Sequence, residues 1–499
     1  MVGKESKMKN KFIRKWLVIL TVAAMMIPAG IPANAETVEE GENIAPTAGI
    51  SAETPNVTAE TQKEEISAEM PDMTAETQNE EKSDVQAEGQ NQAKQGVLEA
   101  VRQNTEKAEE ASDAVDVQAE ERTAGEVQIG EQIYPTLTEA FAAAKDGDVL
   151  RLLENAEVSQ PILLTKNVTL DTNGFTVSAA AGFKGNFMFT NRGTFNIVGS
   201  GKIDGSVGTY PLIMINNTGG AVLNIQSSEI TGQGVVQNVG GIVNITGGTL
   251  TASARNTVLS QFGEVHIGAS AHLMAAGEGK SAVQLIGAKM TVSGDAVLSG
   301  NGGIDVFNSN RNEEGTVSAQ VEITGGRIET KDFPVSGNNQ ESAGAEVAIT
   351  GGSLKNISGG TAIYWPMEGQ LTIGGNAVIE GGTGIEAKMG TITIKDNAVI
   401  TGSGEWKEEK PQNGGANPEG SAFLGSAQMY DGCINDSSLV VNILGGTLKS
   451  VNGNAVTIYN TEEKSDVRAD ISVTGGSLQP AAGKGAVKVI TSGDNTTRF

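Results

Sequence analysis

One eight-residue phrase recurs through the second half of this chain: VNITGGTL (243–250), VEITGGRI (321–328), VAITGGSL (347–354), VNILGGTL (441–448) and ISVTGGSL (471–478). Apolar residues alternate with polar ones, a Gly-Gly pair follows, and one more apolar residue comes after it. Alternation with a period of two is a strand with one buried face, and Gly-Gly is a corner that only a backbone without Cβ turns easily. Serial copies of strand, corner and short strand predict a solenoid.

Weaker copies fill the intervals: FNIVGSGKI (195–203), LNIQSSEI (223–230), VHIGASAHL (265–273), MTVSGDAVL (290–298), LTIGGNAVI (371–379) and ITIKDNAVI (392–400). Their central apolar residues, Ile197, Ile225, Ile245, Ile267, Val292, Ile323, Ile349, Ile373, Ile394, Ile443 and Val473, lie mostly about 20 to 31 residues apart, the length of one β-helical coil. The step from Ile394 to Ile443 is about twice as long and contains the acidic, Gly/Pro-rich stretch 402–420, which reads as a loop inserted in one coil. A further strand precedes each phrase, as in NTVLSQF (256–262), TAIYW (361–365), TGIEA (383–387) and NAVTIY (454–459). The expectation is an all-β, right-handed parallel β-helix of about 11 to 13 coils, each offering about three short strands stacked ~4.8 Å from those of the next coil.

The chain is acidic, with a net charge of −25, and only 4% of its 499 residues are aromatic. Much of that charge precedes the repeats: residues 36–126 carry 24 acidic against 6 basic side chains. Nothing in this balance favours nucleic acid or an anionic lipid surface. Lys4, Lys7, Lys9, Lys11, Arg14 and Lys15, then the apolar run 16–27, then Ala33-Asn34-Ala35 ahead of Glu36, have the order of a secretion signal cleaved between Ala35 and Glu36. Residues 1–35 are therefore expected to be removed, leaving no membrane span, and the mature chain to be secreted or held at the cell surface. Residues 36–125 follow as an acidic linker, with ISAETPNVTAETQKEE (50–65) repeated as ISAEMPDMTAETQNEE (66–81). Its few large apolar residues cannot offset the entropy of ordering it, so it reads as a disordered spacer. Cys433 is the single cysteine, so no internal disulfide is expected.

The folded region is expected from Glu126 to Phe499. Thr136 and Glu139 have capping-box spacing, and Leu137, Ala140, Phe141 and Ala144 share one helical face, placing a helix where it can cover the first coil. The opening YPTLTEAFAAAKDGDVLRLLENAEV, the segment LTKNVTLDTNGFTV and the serial ITGGTL phrases resemble the pectate-lyase-like β-helix regions of exported surface proteins of Gram-positive bacteria, many of them adhesive. The resemblance covers roughly 126–499 and implies the fold. It leaves activity open, because this scaffold carries lyases, hydrolases, adhesins and stalks alike. GAVKVITSGDNTTRF (485–499) supplies the first strand of another coil and no Gly-Gly phrase, so the solenoid is expected to be open or truncated at that end.

Catalytic chemistry is not evident in the sequence. The Gly-His-Gly segment of related hydrolases is missing, and the two histidines, His266 and His272, read as solvated surface residues. Asp171, Asn173 and Gly174 read as a turn, because no bidentate Glu follows at the spacing of a calcium loop. No cofactor, metal or catalytic residue is assigned. Aligning the strands that precede the phrases puts Leu259, Gln284, Asp305, Ser336, Tyr364, Glu386, Leu424, Thr457 and Lys488 in one outward ladder. Asp305 and Glu386 are then three coils, ~14 Å, apart, too far for paired glycosidase carboxylates. Tyr364 and Glu386 are neighbours and, with Trp365, Trp406 and Asp305, form a candidate glycan patch, since aromatic faces suit sugar rings and carboxylates suit hydroxyls. The plainer expectation makes Tyr364 and Trp365 bulk and turn cover, and Asp305 and Glu386 solvated. Two functions follow: a non-enzymatic adhesin, glycan binder or stalk meeting extracellular glycans or host or cell-surface molecules, and, as the alternative, a polysaccharide lyase or glycoside hydrolase. Two carboxylates, or a carboxylate beside Arg311 or Lys388, in one concave groove would favour the second.

Overall fold

A computed structural model describes residues 125–206, 210–308, 317–337, 344–408, 416–417, 419–427, 438–461, 468–492 and 496–499. The expected signal segment, the acidic linker with its tandem repeat, Arg311, Cys433 and part of the 402–420 insertion lie outside the described residues. Among the described residues the fold is mostly β: three sheets of 16, 13 and 13 strands, here sheets A, B and C, in which, apart from the two N-terminal strands, neighbouring strands are three places apart in the chain. Successive strands visit A, B and C in turn, which is the arrangement of a parallel β-helix-like solenoid.

The Gly-Gly phrase folds as its alternation requires. Ile242–Ile245 lies in sheet A and Thr249–Ala252 in sheet B, with Gly247 and Gly248 between them; Val258–Gln261 then enters sheet C. Val243, Ile245, Leu250 and Val258 point inward and are fully buried. The central apolar residues stack in register, Ile197 on Ile225, Ile225 on Ile245, Ile245 on Ile267 and so on to Ile443 on Val473. Each such side chain contributes ~1.5–3 kcal/mol by leaving water, and only because a neighbouring coil covers it.

The two glycines of the corner serve different needs. Gly248 sits at φ +82°, and its counterparts Gly326, Gly352, Gly446 and Gly476 all lie between φ +80° and +87°, a left-handed conformation that a Cβ disfavours. Gly247 has an ordinary φ, but a Cβ there would lie 2.2 Å from the carbonyl oxygen of Gln226 in the coil below. The first glycine thus permits close coil stacking, and the second permits both the turn and a close approach, since a Cβ on it would lie 2.4 Å from Ser228 O.

One run of buried polar side chains is satisfied by a ladder. Asn191 donates to Asn217 Oδ1 (2.8 Å), Asn217 to Asn238 Oδ1 (2.9 Å) and Asn238 to Ser260 Oγ (3.0 Å), one amide per coil along the turn between sheets C and A. The same amides also bond backbone carbonyls, such as those of Ala221 and Gly241, which in addition accept the Ile242 and Glu264 N–H groups of the next coil.

At the N-terminal side, Val127–Ile129 and Gln132–Tyr134 form an antiparallel hairpin on the edge of sheet A. Helix α1 (Leu137–Ala143) follows, capped by Thr136 Oγ1, which accepts from the Glu139 N–H at 3.2 Å. The four residues expected on one face, Leu137, Ala140, Phe141 and Ala144, are all buried. Phe141 meets Phe189 and Phe195 edge-on at 5.9 and 6.0 Å between ring centroids. At the other end, Leu478 and Val487 are only partly buried.

Candidate functional site

The ladder expected on the strands before each phrase is present in sheet C. Leu259, Gln284, Asp305, Ser336, Tyr364, Glu386, Leu424, Thr457 and Lys488 pair one to the next. Asp305 and Glu386 are three strands apart, as expected, and Tyr364 lies beside Glu386. Exposure differs from the expectation: Tyr364 is 7% exposed and Glu386 not at all, although both occupy outward positions. Phe333 and Lys388 lie against the Tyr364 ring, and part of the inserted stretch lies over Glu386. The Asn417 N–H donates to Glu386 Oε2 (2.8 Å), and the Glu419 N–H donates to Thr383 Oγ1 (2.9 Å). Glu386 is therefore not the solvated residue the plainer expectation made it.

The other candidates separate. Trp365 faces inward and is fully buried, filling the core. Asp305 is half-buried and accepts from Ser281 Oγ (2.7 Å) and from Ser336 Oγ. Trp406 lies against Gly453, with Lys484 Nζ 4.5 Å and Lys488 Nζ 6.0 Å from its ring centroid. Tyr364 stacks on Phe333 at 5.1 Å, and Lys388 Nζ lies 5.3 Å from the Tyr364 centroid.

Where the inserted stretch meets sheet C, buried ionisable side chains gather, Glu386 and Lys388 from the sheet and Glu419 from the stretch. Burial pushes Glu386 up to about 7, reinforced by Glu419 and opposed by Lys388, Asn417 and Thr361. Burial likewise raises Glu419 to about 7, reinforced by Glu408 and opposed by Ser421, Thr457 and Tyr459. Lys388, fully buried, is lowered by burial and held up by Glu386. A carboxylate does neighbour Lys388, but inside the covered layer rather than in an open groove.

The open groove is on sheet A. It measures about 450 Å³ and is bordered by two outward rows. One runs Lys289, Gln320, Glu346, Gln370 and the other Thr291, Glu322, Ala348, Thr372. The short side chain of Ala348 leaves the depression between longer neighbours. The second row continues backwards as His266, Asn244, Asn224 and Asn196. There Asn244 donates to Asn224 Oδ1 (2.8 Å) and Asn224 to Asn196 Oδ1 (2.7 Å), while His266 Nδ1 is 2.9 Å from Thr291 Oγ1. His272 lies round the corner in sheet B, beside Ser299 Oγ at 2.9 Å, and burial with Arg327 nearby lowers its pKa. None of the candidate residues expected from sequence lines this groove. Its signal is the middle residue of each phrase, Asn244 in VNI, Glu322 in VEI or Thr372 in LTI, which is polar or small in copy after copy.

Asn173, at φ +47°, donates its N–H to Asp171 Oδ1 (2.9 Å), the geometry of a turn. Among the described residues no group of three or more His, Cys, Asp or Glu is placed to hold a metal, and no helix is long and apolar enough to cross a membrane. Comparison with protein-family models, with curated proteins and with solved structures returns no significant match in any of the three. Register and packing therefore carry the fold assignment.

Proposed function

We propose that the mature chain is an exported surface protein of the kind found in Gram-positive bacteria, which binds an extended neutral glycan along the open face of sheet A without cleaving it. The acidic linker 36–125 then serves as the spacer between cell and solenoid, which we take to be right-handed and pectate-lyase-like. The single observation behind this reading is the pair of rows flanking Ala348. Amide, hydroxyl and carboxylate groups recur there at the coil spacing of ~4.8 Å, so a polymer lying along the solenoid axis meets similar hydrogen-bonding groups at every step. Charge selects among polymers: Glu322 and Glu346 face one Lys289 in the groove. A polyuronate or sialylated glycan is repelled by that field, whereas a neutral one is not.

The test is titration of the mature chain with neutral and anionic polysaccharides, with reducing-end release followed in parallel. Saturable binding to a neutral polymer, weakened ~10-fold or more by Glu322→Ala with Gln370→Ala and accompanied by no release, is the expected result. Selective binding of polyanions, or no binding to any polymer, would remove the reading.

A second reading, a glycoside hydrolase, is favoured by one feature. Glu322 and Glu346 sit diagonally on adjacent coils, ~8 Å apart at Cα from strand geometry, near the span of an inverting carboxylate pair. Turnover abolished by Glu322→Gln or Glu346→Gln would establish it and sink the non-enzymatic one.

A further inference from the structure

We infer that Phe262 is a stacking platform for one hexose ring of the glycan on sheet A, seated just beyond the Lys289 end of the groove. This rests on the glycan reading of sheet A and names the residue that grips an apolar ring face of the polymer.

Phe262 stands at the turn from sheet C to sheet A. Gly219, Gly240 and Gly287 hold the same place in neighbouring coils. In chain order, Gly219, Gly240, Phe262 and Gly287 donate their N–H groups to the carbonyls of Val239, Gln261, Ile286 and Phe307, each one coil further on. All four are left-handed, at φ +71°, +68°, +57° and +56°. Three coils meet that conformation with glycine, and one meets it with a bulky side chain for which it is an outlier. The ring is not part of the core. Phe262 is 51% exposed, and among the described residues no other aromatic ring packs on it. A Cβ on Gly219 or Gly240 would meet nothing within 4 Å, so the turn is open to solvent on the coils before it. Backbone strain kept at a solvent-facing aromatic side chain points to binding rather than to folding.

The surroundings fit a neutral sugar. Two residues after Phe262, Glu264 continues the outer row of the groove back from Lys289, and Ile242 follows it, a half-buried aliphatic side chain on the outward side of sheet A. In the neighbouring row, Asn244 uses one of its two amide N–H groups on Asn224 Oδ1. An apolar position beside an amide row matches a pyranose ring, which carries C–H bonds on its faces and hydroxyls round its rim. Phe262 adds the flat surface on which such a face stacks. The cation at this end, Lys289, lies 3.9 Å from Glu264 and is already offset for an acidic sugar.

Affinity titration of the full chain with dextran, galactomannan and xyloglucan tests the platform, with Glu322→Ala plus Gln370→Ala measured alongside to report on the groove itself. Phe262→Gly should weaken binding about tenfold or more while the denaturation midpoint stays equal or rises, because glycine suits the backbone there. Phe262→Leu, apolar but not flat, should weaken binding likewise, and Phe262→Tyr should keep it. Wild-type affinity in Phe262→Gly or Phe262→Leu would overturn the platform, and with the groove variant still weakened would leave the glycan reading standing. A lower midpoint in Phe262→Gly would make the ring a structural residue and overturn the platform too. If the wild-type chain binds none of the three polymers, the platform and the glycan reading fall together.

Discussion

Gly248 and Gly220 share a left-handed backbone, at φ +82° and +81°, yet differ in what surrounds them. A Cβ on Gly248 would come within 2.4 Å of Ser228 O, whereas one on Gly220 would meet nothing within 4 Å. Gly220→Ala should therefore cost only the conformational strain, about 1 kcal/mol. Gly248→Ala should cost that plus a coil displacement, about 3 kcal/mol or more in total. Denaturant melts of the two variants check this, and equal losses would refute the role given to coil contact. At the same scale, Tyr364 and Glu386 show where reading residues stops. Their register follows from the period of two in TAIYW and TGIEA, but their burial involves residues about 30 positions away, Phe333 for Tyr364 and Asn417 for Glu386, a relation no local pattern encodes.

The amide ladder and the first helix are the elements most open to test. Asn217 both donates to Asn238 and accepts from Asn191, and it bonds the carbonyl of Ala221. Asn217→Ala breaks the run at its middle and orphans buried partners, an expected loss of about 2 kcal/mol measured by chemical denaturation. Thr136→Ala removes the cap of α1 and should cost about 1 kcal/mol, with Thr136→Ser restoring most of it. The helix was legible because capping spacing and a 3.6-residue apolar face are both local signals. The ladder was not, since Asn191, Asn217 and Asn238 are ordinary turn residues until stacking brings them to within 3 Å of one another.

For the molecule as a whole, pH is the informative variable. A carboxyl whose folded pKa lies above its unfolded value keeps its proton longer in the folded chain. The stability it contributes is complete below about pH 4.5 and is lost as pH rises through about 7, the values for Glu386 and Glu419. The denaturation midpoint should fall between pH 5 and pH 8, with a ceiling of about 3 kcal/mol for each carboxyl. Glu386→Gln with Glu419→Gln should remove most of that slope. An unchanged slope would assign it instead to the general repulsion of a chain with a net charge of −25.

By itself the sequence determined the solenoid: alternation sets which side chains point inward, Gly-Gly sets the corners, and the interval between phrases sets which residues stack. Each is a short-range regularity that repetition multiplies, which explains why the ladder from Leu259 to Lys488 could be written down from alignment alone. Tertiary structure decided which outward faces meet water. Part of the stretch inserted after Gly402 lies over Glu386 and Thr383 on sheet C, while sheet A keeps an open groove beside Ala348. Accessibility depends on where an irregular segment comes to rest, and that is settled by contacts between distant coils rather than by any period in the chain.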